Sequence, residues 1–317
     1  MGVDSPLLFE KGDYMSVTSG IKTVKATING QTYTLTLNDS TNKYEATITA
    51  PDKSSYNKEG HYYPVSITAQ DQAGNSETVD STDPTLGDSL KLYVKETVAP
   101  TITNVTPTNG AYLDTSTPTI TAQLRDNDSG VDITTLELKV DDVKVANDKI
   151  TNTSVTGGYN ISYTPDVALS DASHTVTITV KDHDGNLSTV ATTTFTVMTT
   201  APTLTITAPT DNLKTNQAAC TVIGKTGAGI TVTISLNGTD VGAVTVAGDG
   251  AFSKEVTLST EGENIIKIVA TNKAGVTSTV SRTVIYDITP PEITAVTITP
   301  NPVDCGNTYV ISVELSE

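Results

Sequence analysis

Apolar and polar residues alternate along much of the chain. Three segments show it best: Val65-Ser66-Ile67-Thr68-Ala69, Val176-Thr177-Ile178-Thr179-Val180 and Ile266-Lys267-Ile268-Val269-Ala270. A period of two puts every second side chain on one face, the signature of a half-buried β-strand. Each segment runs into the same punctuation, Asp71-Gln72-Ala73-Gly74, Asp182-His183-Asp184-Gly185 and Asn272-Lys273-Ala274-Gly275. The Asp or Asn side chain caps a turn and Gly supplies the positive φ, so three hairpins are predicted. Returning strands are expected over residues 90–94, 193–197 and 282–286. A proline joint follows each, at Pro100, Pro202 and Pro290-Pro291. Proline cannot donate to a ladder and so suits the passage between sheets. Pro100, Pro202 and Pro291 lie 102 and 89 residues apart, the length of a small β-sandwich.

The front of each unit reads the same way. Residues 21–28 and 31–37 flank Asn29-Gly30, and residues 230–236 end at Asn237-Gly238, both strong hairpin signals. Further strands are expected over 44–48, 136–140, 243–246 and 252–258. Ser129-Gly130-Val131 parallels Ser19-Gly20-Ile21. No amphipathic helix of three turns is found. The pattern predicts β-sandwiches over 1–99, 100–200 and 201–289. A segment of two strands, 293–298 and 309–313, fills 290–317. Two strands cannot bury a core alone. This segment is therefore expected to dock on the third sandwich, meet a partner, or open a fourth domain.

With these units in view, the chain resembles bacterial immunoglobulin-like (Ig-like) repeat proteins. The hairpin Asp71-Gln72-Ala73-Gly74-Asn75 and its two relatives carry the likeness. In the third unit Gly248-Asp249-Gly250-Ala251-Phe252 and Glu261-Gly262-Glu263-Asn264-Ile265-Ile266 add to it. The third unit is similar to the bacterial Ig-like class of surface proteins and of accessory domains in glycan-degrading enzymes. The implied fold is all-β, with tandem Ig-like sandwiches in an elongated array and a short C-terminal β segment. The start Met1-Gly2-Val3-Asp4-Ser5-Pro6 shows no signal-like pattern. Together with Pro300-Asn301-Pro302-Val303-Asp304 and Ser312-Val313-Glu314, it resembles Ig-like proteins of phage or prophage tail gene clusters in Firmicutes. That likeness implies a virion protein assembled in the host cytoplasm, with other tail subunits as partners and weak contact with cell-surface glycans. Two alternatives are a spacer or adhesin on a bacterial surface, and the accessory region of a glycan-degrading enzyme. The family carries no motif-defined binding residues.

Composition narrows the chemistry. Thr makes up about one residue in five, filling the polar positions of strands. The net charge of −17 argues against nucleic-acid partners and anionic membranes. No run suits membrane insertion. The charge is uneven: residues 100–200 hold 5 basic and 12 acidic residues, residues 201–289 hold 6 and 7. Three His, two Cys and no Gly-x-Ser-x-Gly pattern point to a non-enzymatic chain without a cofactor. Cys220 and Cys305 read as free thiols, Cys220 as a core residue.

The acidic loop Arg125–Asp132 offers alternate carboxylates, Asp126, Asp128 and Asp132, as candidate Ca²⁺ ligands. The competing reading is a capped turn. Asp182-His183-Asp184 is a second candidate, although its relative Asn272 is neutral, so turn geometry accounts for the position. His174, with Tyr63 and Asn264 at equivalent places, reads as a hydrogen-bonding corner. Asp141-Asp142, read as strand residues, would point to opposite faces. Tyr56, His61, Tyr62 and Tyr63 form the one dense aromatic patch, on or beside a long loop, and Tyr56, His61 and Tyr62 are the candidate glycan contacts.

Overall fold

The computed structural model describes residues 19–316. The N-terminal segment read above for a signal lies outside them, as does the start of the first predicted sandwich. Described residues up to 106, with 119–163 and 175–193, form one compact unit; 107–118, 164–174 and 194 onward form another.

The first module contains β1 (Ile21–Ile28), β2 (Gln31–Asn38), β3 (Lys43–Glu45), β4 (Tyr63–Asp71), β5 (Ser76–Val79) and β6 (Lys91–Leu92). Asn29 and Gly30 take φ of 49° and 78°, the two left-handed positions that a two-residue hairpin between right-twisted strands requires. β1 pairs antiparallel with β2 and β4, while β5 and β6 both pair with β4. Among the described residues this module presents one six-stranded sheet; a second layer is not among them. The strand expected over 90–94 is reduced to β6. Asp80 caps Thr82, and Asp83 caps Thr85 and Leu86, so two successive side-chain turns carry the chain off the ladder. The strand expected over 44–48 ends at Glu45.

The second module contains β7 (Thr101–Thr106), β8 (Ala111–Leu113), β9 (Ile120–Arg125), β10 (Val131–Val140), β11 (Val143–Lys144), β12 (Thr151–Val155), β13 (Gly158–Tyr163), β14 (Ser173–Asp182) and β15 (Ala191–Val197). One sheet has the order β12-β13-β9-β7. β10 pairs with β11 and β14, and β15 runs parallel to β8. The predicted alternation is visible in burial. Val176, Ile178 and Val180 of β14 are all buried, and β9, a strand the sequence reading did not anticipate, buries Ile120, Ala122 and Leu124 in the same way. Asp141 and Asp142 lie in no strand. They form the tight turn between β10 and β11 with φ of 50° and 63°, and Asp141 accepts the Thr175 amide. Gly158 (φ 149°) brings β13 against β9 so closely that a Cβ there would lie 2.1 Å from the Leu124 carbonyl oxygen.

The third module contains β16 (Leu204–Ala208), β17 (Leu213–Thr215), β18 (Ala219–Thr226), β19 (Thr231–Leu236), β20 (Thr239–Asp240), β21 (Ala251–Thr257), β22 (Gly262–Thr271) and β23 (Thr277–Tyr286). They form two sheets, β16-β18-β21 and β17-β23-β22-β19-β20. Val222 and Phe252 from one sheet and Ile234, Ile266 and Ile268 from the other close the core. Cys220 is buried there, and burial pushes its thiol pKa up. The strand expected over 243–246 reduces to one bridge, Val246 to Phe252. β24 (Ile293–Thr299) and β25 (Val310–Leu315) pair with each other. Their Val296, Ile298, Val310 and Val313 remain exposed. Among the described residues no helix is long and apolar enough to cross a membrane.

Candidate functional site

Each Asp/Asn-x-x-Gly hairpin tip is closed by its own side chains, and in the second and third modules it also holds the linker that enters the module. In the first, the Asp71 carboxylate accepts the Asn75 amide (2.8 Å) and the Asn75 side chain (2.9 Å). These bonds, the side chain's first, hold the Asp71 pKa below the usual carboxylate range. With the tip so closed, Gln72 N–H donates to the Gly20 carbonyl (3.0 Å) and Ala73 N–H to Ser19 Oγ (3.3 Å). The second tip repeats this. Asn186 donates to Asp182 from its backbone (2.8 Å) and side chain (2.7 Å), and His183 N–H reaches the Gly130 carbonyl (3.1 Å). The likeness of Ser19-Gly20-Ile21 to Ser129-Gly130-Val131 is thus a shared backbone contact. The incoming linker is held too: Asp184 accepts the Glu96 amide (2.9 Å) and Asn186 donates to the Glu96 carbonyl (3.1 Å). In the third tip the Asn272 side chain caps Ala274 and Val276 through Oδ1. It donates through Nδ2 to the linker carbonyls of Met198 (3.3 Å) and Thr200 (3.2 Å).

The candidate calcium ligands do not converge as a set. Asp132 caps Thr134 at the start of β10 (3.1 Å to N, 2.6 Å to Oγ1). Asp128 anchors the long loop of the first module, accepting the Ser54 amide (3.1 Å) with Lys53 Nζ 3.9 Å away, while its carbonyl accepts the Asn57 side chain. Asp126 turns inward and accepts the Asp128 and Gly130 amides on Oδ1, both at 2.9 Å. There it meets Glu96 and Asp182, and one carboxylate oxygen from each of the three lies within 4.8 Å of the others. Asp126 and Asp182 are buried. Burial first, then the Asp126 and Asp128 charges, raise the Glu96 pKa, opposed by Ser129, whose amide donates to the carboxylate (2.6 Å). Sequence reading missed Glu96 because it sits in a linker without a motif. Its place just before the proline joint was the available signal.

The aromatic patch is brought together but closed on itself. Tyr56 meets two imidazoles, His61 at 4.5 Å and His183 at 4.1 Å, stacked at interplanar angles of 20° and 7°. The Tyr56 ring is therefore stacked on the chain's own imidazoles. Tyr62 packs edge-on to Tyr93 at 6.2 Å, with Lys91 Nζ 5.4 Å from its ring centre. Beside this patch a cleft of about 430 Å³ opens along Tyr56, Asn57, Asp126, Asp128, Gly157 and His183.

The three corner positions are alike in role. Tyr63 Oη donates to the Lys53 carbonyl (3.2 Å), His174 Nε2 meets the Ser170 carbonyl (2.9 Å), and Asn264 Nδ2 donates to Thr260 O (2.8 Å). All three are buried and tie the start of the central strand to the loop before it.

Two family descriptions match parts of the chain: a bacterial Ig domain over residues 100–178, and domain B of glucodextranase over residues 202–288. No curated protein matches. Among solved structures, the fibronectin(III)-like modules of Clostridium thermocellum CbhA share 16% identity, covering 59% of this chain and 94% of theirs (TM-score 0.37). The titin I-band fragment I67–I69 shares 11%, covering 85% and 89% (TM-score 0.41). The N-terminal Ig1-2 module of the Drosophila receptor tyrosine phosphatase DLAR shares 16%, covering 60% and 100% (TM-score 0.25). The chain is an all-β protein of tandem Ig-like domains.

Proposed function

We propose that the chain is a non-enzymatic structural array whose Ig-like modules space and present a contact with the bacterial cell surface, on a phage tail or other virion. The observation that supports this reading most is the hairpin tip that grips the entering linker in the second and third modules. Such a grip orders the linker as each module folds, which a spacer needs and a catalyst does not. The stacking of Tyr56 on His61 and His183 favours spacing over sugar stacking at that patch. A second reading, the accessory region of a glycan-degrading enzyme, is favoured by the glucodextranase domain B match over 202–288.

The test is binding of the fluorescently labelled chain to intact Firmicute cells and to their purified walls, alongside electrophoresis through a dextran-containing gel. Saturable binding to cells with unretarded migration supports the first reading. Retardation by dextran without cell binding replaces it with the second. Failure of both removes the surface-contact role.

A further inference from the structure

The two joints that enter the second and third modules use the same two positions in opposite chemical senses. Asp126 and Thr226 are equivalent: Asp126 follows β9 and Thr226 ends β18, and each donates its amide to a glycine-turn carbonyl beside the neighbouring strand, Gly157 (2.8 Å) and Gly250 (2.9 Å). Asp182 and Asn272 are equivalent as the first residue of the hairpin tip. In the third module both side chains are donors. Thr226 Oγ1 donates to the Thr203 carbonyl (2.7 Å), and Asn272 Nδ2 donates to Met198 O and Thr200 O. In the second module both are carboxylates, and the linker adds a third, Glu96.

Carboxylates cannot donate to a linker, and three of them at this spacing repel. Asp126 is 7% and Asp182 2% exposed, and among the described residues no Lys, Arg or His forms an ion pair with any of the three. A buried charge needs a counter-charge. One further group is unsatisfied there. Ser129, 1% exposed, gives its amide to Glu96 Oε1 (2.6 Å), and its hydroxyl faces the same carboxyl without completing a hydrogen bond of acceptable geometry. Oxygen atoms that meet within 4.8 Å are placed as ligands on a common hard cation are placed, at about 2.3–2.6 Å from Ca²⁺.

We propose that Glu96, Asp126 and Asp182, with the Ser129 hydroxyl, bind one Ca²⁺ ion, which fastens the linker to the second module as Asn272 and Thr226 fasten it to the third. Ca²⁺ is favoured over Mg²⁺ because the ligands come from separate loops and are not set as a rigid octahedron. The site stands independently of what the array contacts.

The experiment is calorimetric titration of the EDTA-stripped full chain with CaCl₂ and with MgCl₂, with melting curves under each condition. The expected result is one equivalent of Ca²⁺ bound, at least tenfold tighter than Mg²⁺, with a rise in Tm. Asp182→Asn weakens Ca²⁺ binding at least tenfold, while Asp132→Asn, outside the cluster, leaves it unchanged. The double variant Asp126→Thr with Asp182→Asn copies the third module. It is expected to melt in EDTA no lower than the wild type and to give no response to Ca²⁺, which separates loss of the site from loss of the fold. No heat and no Tm rise in the wild type, an undiminished response in Asp182→Asn, or a lost one in Asp132→Asn overturns the proposal. Equal affinity for Mg²⁺ overturns the choice of metal.

Discussion

Asp171 shows how much a single exposed carboxylate can organise. It accepts the Thr199 amide (2.9 Å) and hydroxyl (2.7 Å) and the Thr200 amide (2.8 Å), the residues that lead into the third module. Those bonds, the Thr side chains' first, hold its pKa far below the usual carboxylate range. A carboxylate with a depressed folded pKa stabilises fully above its unfolded pKa, near 4, and the contribution fades as pH falls through the lower folded value. Asp171→Asn is therefore expected to lower Tm at pH 7, and the gap to the wild type to close progressively below pH 4. Melting curves from pH 7 to 2 check this; a constant gap would show that the charge is not what matters. At this scale the sequence was legible where a residue's role is local. The capping Asp and Asn of the tips and the corner set of Tyr63, His174 and Asn264 follow from turn chemistry. Asp126, Asp128 and Asp132 share a loop yet face three ways, because alternate residues of a tight turn diverge and only Asp126 points inward.

Among elements, the hairpin tip has the clearest double use. In the third module its first residue closes the turn and grips the entering linker together. Asn272 is buried and makes both kinds of bond with one amide. Asn272→Ala removes the cap and leaves the Met198 and Thr200 carbonyls without that donor. The expected loss is about 1–3 kcal/mol of stability. Urea denaturation measures it, and an unchanged midpoint would mean that the linker bonds contribute nothing. Of the three alternating segments read as strands, β14 and β22 bury every second residue as the pattern predicts, while β4 is a strand half-buried along most of its length. β9 and β18 alternate in burial although the sequence reading assigned them no strand. Short segments were less legible. Residues 90–94 and 243–246 have the apolar residues of strands, but tight turns on their approach, capped by Asp80 and Asp83 in one case and by Asp240 in the other, deny them a long ladder partner.

At the scale of the whole molecule, the repeats predict three sandwiches and a terminal two-strand segment, because the same tip recurs before each proline joint; β24 and β25 do pair with each other. The joints themselves were hidden. Equivalent positions carry Asp in one module and Thr or Asn in another, and their common task shows only when the linker is seen beside them. The charge imbalance has a counterpart here. The second module, the most acidic, is the one whose joint gathers three carboxylates, and the nearly neutral third is the one whose joint uses neutral donors. The account's central claim is that linkers are gripped by the modules they enter. Hydrogen–deuterium exchange of the intact chain, resolved at single amides, tests it most directly. The Glu96 amide donates to Asp184 of the module it enters, whereas the Val94, Met198, Thr199 and Thr200 amides donate to Ser55, Leu113 and Asp171 of the modules they leave. The Glu96 amide is expected to exchange at least a hundredfold more slowly than in an unstructured peptide, and at least tenfold faster in Asp184→Ala than in the wild type. Exchange of the wild-type Glu96 amide at the unstructured rate would contradict the claim.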